Sequence, residues 1–328
     1  MKKFTHLDGA IHPIKTVVVK LLTSKKIGVA AIATFAVLLS FQVNAQEYHF
    51  KVLANRGDNT LITSDGSINE HLKVGSILQE GDKLILSEGA YVGLMHPNGR
   101  TMELKEAGEF EVSSLVQKAG EGNSIASKYA NYLINRMSEE DVDIHANHTQ
   151  YLKVTGAVER TLDSSPIKVM MPNSVEIFNP NAFVKWTDLG AVEYVVTLKN
   201  MYDEVLLTQA TSKPQIKIDL NAKELINEKL VIINVAVKDN PALASDNYGI
   251  KKMTAPKAKT IDSDLKSLKA SFQEEGALNK LILASFYEDN NLLVDALANY
   301  EEALRINPDV EEFKTAYEQF VTRHGLLN

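Results

Sequence analysis

The spacing of apolar residues changes along this chain, and that change sets the fold class. From Tyr48 to about Met253 they alternate in short runs broken by Gly, Pro, Asn and Asp, with one helical interruption at Ser124–Met137. From Ile261 to Arg323 they recur every three or four residues. Alternation puts every second side chain on one face of a strand, whereas the longer spacing draws a stripe along a helix. The chain therefore reads as a multidomain β + α protein, strands first and helices last.

In the first β stretch, "HFKVLANRGDNTLITSDG" alternates and then breaks at Asp65-Gly66. "KLILSEGAYVGLMHPNGRTMEL" carries two alternating runs around Pro97-Asn98-Gly99, a strong hairpin turn. Strands this short must face one another in several layers, which predicts a small β-roll or sandwich. Residues 72–112, with Val74-Gly75, Gly81-Asp82, Ala90, Asn98-Gly99 and the strand Met102 to Leu104, resemble the FecR-like domain. That module occurs in the periplasmic part of ferric-citrate-type regulators and in other exported bacterial proteins. The resemblance implies a sensing or binding module rather than a catalyst.

Residues 166 to about 255 hold seven further candidate strands: "SVEIF", "AFVKW", "EYVVTLKN", "EVLLTQA", "PQIKIDL", "KLVIINVAVKD" and "YGIKKM". Seven short strands with turns between them fit an immunoglobulin-like or fibronectin-type sandwich, with Trp186 and Tyr194 as its large core residues. No cysteine supports an antibody-type bridge, so the expectation is fibronectin-like. The insertion "NAKELINEKL" has turn or short-helix character.

The helical end resembles a tetratricopeptide repeat beginning at Ala277. Leu283-Ala284, Tyr287, Ala296, Tyr300, Ala303 and Pro308 stand at its marked positions, and Lys280 departs at the tryptophan position. Small Ala284 and Ala296 let two helices approach, and Tyr287 and Tyr300 fill the space beside them. A lone repeat leaves an apolar face open. Leu265, Leu268 and Phe272 before it and Phe313, Tyr317 and Phe320 after it supply covers, which predicts a compact four-helix tail. Asn290, Asn291 and Asn299 are the candidate protein-binding residues of its outer face.

Six lysines precede the apolar run Ile27–Phe41, which is 15 residues long. A comfortable membrane span takes about 20. Val43 and Ala45 suit the pockets of a signal peptidase, so the expected cut lies between Ala45 and Gln46, and an uncleaved anchor is the alternative. Without those 45 residues the chain has 29 basic and 41 acidic residues, a formal charge of −12. A surface so acidic repels phosphate backbones, which excludes nucleic acid as the expected partner. The absence of cysteine excludes disulfides, thiol nucleophiles and thiolate metal sites.

The expected order is a signal peptide or anchor (1–45), a FecR-like β domain (46–118), a helical and polar connector (119–164), a fibronectin/immunoglobulin-like sandwich (165–256) and a tetratricopeptide-like helical domain (257–328). "DVDIHANH", with His145 and His148, reads as polar linker rather than a metal site, and Arg56-Gly57-Asp58 as turn chemistry. The chain has no Gly-x-Ser-x-Gly, phosphate loop, dinucleotide fingerprint or His-Glu-x-x-His. These features predict a non-enzymatic interaction or scaffold protein without cofactor, exported to the periplasm or the outer-membrane region, that binds envelope proteins or envelope polymer. The alternative is a membrane-anchored FecR-type sensor or regulator, touching the membrane only through its N-terminal segment.

Overall fold

Eight strands follow one another before the first helix: β1 (Phe50–Arg56), β2 (Thr60–Ile62), β3 (Ile68–Asn69), β4 (Ile77–Leu78), β5 (Lys83–Leu86), β6 (Tyr91–Met95), β7 (Thr101–Leu104) and β8 (Gly108–Glu111). The computed structural model describes residues 48–69, 72–120, 124–138, 165–272 and 275–326; the basic, apolar N-terminal segment and His145 and His148 lie outside them. The strands make two four-stranded antiparallel sheets, ordered β4-β1-β6-β7 and β3-β2-β5-β8. Phe50, Val52, Leu84, Val92 and Leu94 fill one core between them. Helix α1 (Val112–Ala119) adds Val112 and Leu115 to that core. The hairpin at Pro97-Asn98-Gly99 joins β6 to β7, with Gly99 at φ 89°, where a side chain would clash with its own backbone.

Strand β6 is buried along its whole length, so it serves two cores. Val92 and Leu94 face the sandwich, while Tyr91 and Met95 face the helices. Strand β1 follows it through a bulge between Val52 and Ala54, which turns Val52 to the sandwich and Leu53 and Ala54 to the helices. The division of β1 between two cores cannot be read from simple alternation, because the bulge resets the period.

The second β unit comprises β9 (Ser174–Ile177), β10 (Asn181–Lys185), β11 (Tyr194–Lys199), β12 (Val205–Thr211), β13 (Gln215–Asp219), β14 (Leu230–Val237), β15 (Asn240–Ala244) and β16 (Tyr248–Lys252). One sheet runs β12-β11-β14-β16-β9 with β15 beside β14, and β10 pairs with β13 in the other. All pairings are antiparallel except β16 with β9. Alternating residues of β11 and β14, such as Val196, Leu198, Ile233 and Val235, point into the core. Trp186 and Tyr194 meet edge to face there, centroids 5.6 Å apart, as the sequence leads one to expect. The "NAKELINEKL" segment carries the chain by turns from one sheet to the other, pinned by buried Leu225.

The helices are α2 (Ser124–Ser138), α3 (Ala255–Lys269), α4 (Ala277–Asp289), α5 (Leu293–Ile306) and α6 (Glu311–Arg323). Helix α4 is apolar nearly all round, and eleven of its residues from Ala277 to Glu288 are buried. Such a helix needs neighbours on every side. It packs on α5, on α2 through Tyr129 against Phe286 (5.2 Å, edge to face), and on the first β unit, where Leu278 fills the space above Gly93. Of the anticipated covers, Leu265, Leu268, Phe313 and Phe320 are buried, and Phe272 and Tyr317 pack half-buried against the same cluster. Rather than a tail set apart, the helices share one continuous core with the second β unit and with one face of β1 and β6. The chain is thus a mixed β + α structure with its helices wedged among its sheets.

Candidate functional site

Two buried carboxyls, Glu288 and Asp295, have strongly shifted pKa values, the usual mark of acid and base chemistry in an enclosed site. Glu288 of α4 is 3% exposed and accepts from Tyr300 Oη at 2.8 Å and Arg323 Nη2 at 2.9 Å, with His324 Nε2 at 3.0 Å. Burial alone would raise its pKa, but the His324 and Arg323 contacts and the Tyr300 hydroxyl outweigh burial and hold it at about 2. Its acceptor capacity is filled, and the set fastens the end of α6 to α4 and α5.

Asp295 of α5 is the opposite case. Burial pushes its pKa up to about 6, against two hydrogen bonds from the backbone N–H groups of Phe178 (3.0 Å) and Asn179 (3.1 Å). That value suits a general base, yet each oxygen faces a main-chain donor of the β9–β10 turn. Asp295 ties the second β unit to α5, assisted by Lys185 with Glu301 at 2.5 Å. Towards the first β unit, Glu103 Oε1 accepts from Leu278 N (2.8 Å), Thr101 Oγ1 donates to Asn279 Oδ1 (2.5 Å) and Asn55 N donates to Glu312 Oε1 (3.1 Å). These carboxylates are occupied in holding the units together.

Of the three asparagines named from the sequence, Asn290 and Asn291 lie at the turn of the helical hairpin and Asn299 lies within α5. Asn290 and Asn291 end α4 in a Schellman turn: Asn291, at φ 56°, donates its N–H to Glu288 O, and Leu292 N–H reaches Tyr287 O. Asn290 Nδ2 donates back to Phe286 O and Asn299 Nδ2 to Asp295 O, both at 2.8 Å. Their side chains thus serve their own helices. Tyr287 and Tyr300 are core residues, at 7% and 1% exposure. Arg56 and Asp58 flank a turn at Gly57, and Arg56 Nη2 donates to Gly89 O. Among the described residues no cluster of His, Asp and Glu is arranged to hold a metal ion.

The surface offers something more specific at a sheet edge. The other edges are short, covered, charged or broken by proline: β3 and β4 have two residues each, β7 lies against α4, β9 and β10 lie against α5, β8 and β13 carry charged side chains, and β15 contains Pro241. Strand β12 is different. It pairs only with β11, runs for seven residues, and its sequence VLLTQAT has no charge and no proline. Proteins usually blunt such an edge, because its outward N–H and C=O groups invite another strand.

No protein-family model and no curated protein matches this chain.

The tip of the β11–β12 hairpin is held rigidly. Asn200, 6% exposed, accepts from Tyr202 N–H at 2.9 Å and Glu204 N–H at 3.1 Å, and its Nδ2 donates to Glu204 Oε2. Asp203, at φ 66°, pairs with Lys199 at 2.7 Å. That turn displays Met201 and Tyr202 at 65% and 76% exposure, next to Val205 at the start of β12. At the other end of β12, Gln209, Ala210 and Thr211 line an open recess with Phe183, Lys213, Gln215, Ile216 and Lys217. What this arrangement can do is accept an extended segment through main-chain hydrogen bonds, with side-chain contacts at each end. The signal was available in the sequence, since "VLLTQAT" is an uncharged strand, but edge position depends on pairing that alternation alone does not reveal.

Proposed function

We propose that this chain is an exported, non-enzymatic interaction protein of the bacterial cell envelope that docks a protein partner along β12. The observation that carries this reading is the β12 edge itself: seven uncharged residues, paired on one side only, beside an ordered hairpin tip with exposed Met201 and Tyr202. Export rests on the basic, apolar leader and on Val43 and Ala45 before Gln46. The FecR-like and fibronectin-like readings of the two β units, and the tetratricopeptide-like reading of α4 and α5, agree with a binding role. The buried carboxylates serve as ties between units, which leaves the surface as the place for function.

A photo-crosslinker placed at Ala210 in cells tests this. It should give a discrete adduct that a crosslinker at exposed Lys269 on α3 does not give, and that Thr208→Lys weakens at least tenfold. Identical adducts from both positions, or none from Ala210, would defeat the proposal. The mass of the mature chain separates export by cleavage, with Gln46 first, from the anchored regulator, whose basic lead would remain.

A further inference from the structure

The recess at the end of β12 differs in charge from the rest of the molecule. Beyond the leader the chain carries a formal −12, yet the side chains lining the recess include two lysines, Lys213 and Lys217, and no carboxylate. The lysines nearest to it are neutralised, Lys185, opposite Gln215, by Glu301 and Lys238 by Glu193. Among the described residues neither Lys213 nor Lys217 is in an ion pair, and both are exposed. Asp219, two residues beyond Lys217, is engaged with the Asn221 N–H at 2.9 Å.

From this charge pattern, resting on the docking role proposed for β12, we infer that the occupant is an extended polypeptide segment rich in Asp or Glu, which adds to β12 as a further strand and sets its carboxylates beside Lys213 and Lys217. The two lysines sit at the far end of the strand from Met201 and Tyr202. An incoming strand therefore meets cations at one end and an apolar tip at the other, which fixes its direction as well as its charge. A second copy of the chain fits less well, since its own β12, VLLTQAT, offers no carboxylate to set beside Lys213 and Lys217.

The test uses the full mature chain and dye-labelled nine-residue peptides followed by fluorescence anisotropy. One peptide alternates Glu with Val, a second replaces each Glu by Lys, and two further acidic peptides are N-methylated at one or the other set of alternate residues. The acidic peptide should bind at least tenfold tighter than the basic one, and Lys213→Glu with Lys217→Glu should invert the preference. One N-methylated set should abolish binding and the other retain it, as strand addition requires. Equal binding of the acidic and basic peptides would overturn the acidic occupant while leaving edge docking intact. Failure of every peptide to bind would overturn the docking of a strand at β12 altogether. A concentration-dependent dimer in sedimentation that competes with the peptide would assign the edge to a second copy instead.

Discussion

Glu103 and Gly276 occupy adjoining space so closely that a Cβ on residue 276 would land on the Glu103 carboxylate. Gly276 is the residue before α4, and its extended backbone (φ −154°) is open to any residue, so the requirement for glycine is steric rather than conformational. The space is taken because Glu103, from β7, reaches over the N-terminus of α4 to accept from Leu278 N–H, where the helix dipole favours an anion.

Gly276→Ala is therefore expected to displace Glu103 and cost about 1.5–3 kcal/mol, the range for a hydrogen bond to a charged group. Glu103→Ala should cost a similar amount, and the double variant scarcely more than either alone. Urea unfolding of the three variants measures this, and additive losses would show that the two residues act separately.

Asp295 makes stability depend on pH in an unusual direction. Its folded pKa of about 6 lies above the ordinary 3.8, so the folded state holds the proton more strongly between those values. Its contribution grows as pH falls through 6 towards 3.8, and the cost of the buried charge is fully present above 6. The advantage of the natural chain over Asp295→Ala should be larger at pH 4.5 than at pH 7.5, by at most about 3 kcal/mol. A difference that does not change with pH would show that burial leaves this carboxyl unperturbed.

Glu288 works the other way. With a pKa held at about 2 against an ordinary 4.5, it contributes stability above 4.5 that is lost as pH falls towards 2. Glu288→Ala leaves Arg323, 12% exposed, without its carboxylate and should cost about 3–5 kcal/mol. Adding Arg323→Ala should return part of that loss, which thermal unfolding at neutral pH would detect.

Ending the chain at Pro308 removes α6, and with it Phe313, Phe320 and Val321, each fully buried. It also removes Glu312 from Asn55 and the Arg323 and His324 partners of Glu288. Each buried phenylalanine is worth roughly 1.5–3 kcal/mol, so the loss rivals the stability of a typical domain. Helical circular dichroism should collapse, and helicity retained in this truncation would contradict the shared core.

Local patterns in the sequence carried much of the architecture. The hairpin at Asn98-Gly99, the alternation in β11 and β14, the turns between β13 and β14 and the helical hairpin closed by Pro308 all follow from spacing and turn chemistry. Strand β15 was not foreseen, since "NPALA" offers a proline and little alternation; it pairs with β14 through a register shift that only the sheet supplies. Nor did spacing show that α2, read as part of a connector, packs on α4 and α6, or that β1 divides its side chains between two cores at a bulge. The β12 edge was legible as a strand but not as an edge. Asn290, Asn291 and Asn299 read from the sequence as outer-face residues between Tyr287 and Tyr300; the bonds they make to the backbone of their own helices and turn depend on the folded chain and were not legible.

The face of β1 and β6 that carries Leu53, Ala54, Tyr91 and Met95 has a bearing on how the molecule is made. Tyr91 meets Phe313 edge to face at 5.7 Å, and Asn55 reaches Glu312, 257 positions later. A chain synthesised from its N-terminus exposes that apolar face long before its cover exists, and closing so long a loop is slow. The first β unit is begun first and completed last, and until α6 arrives it is the part of the nascent chain most in need of protection from aggregation.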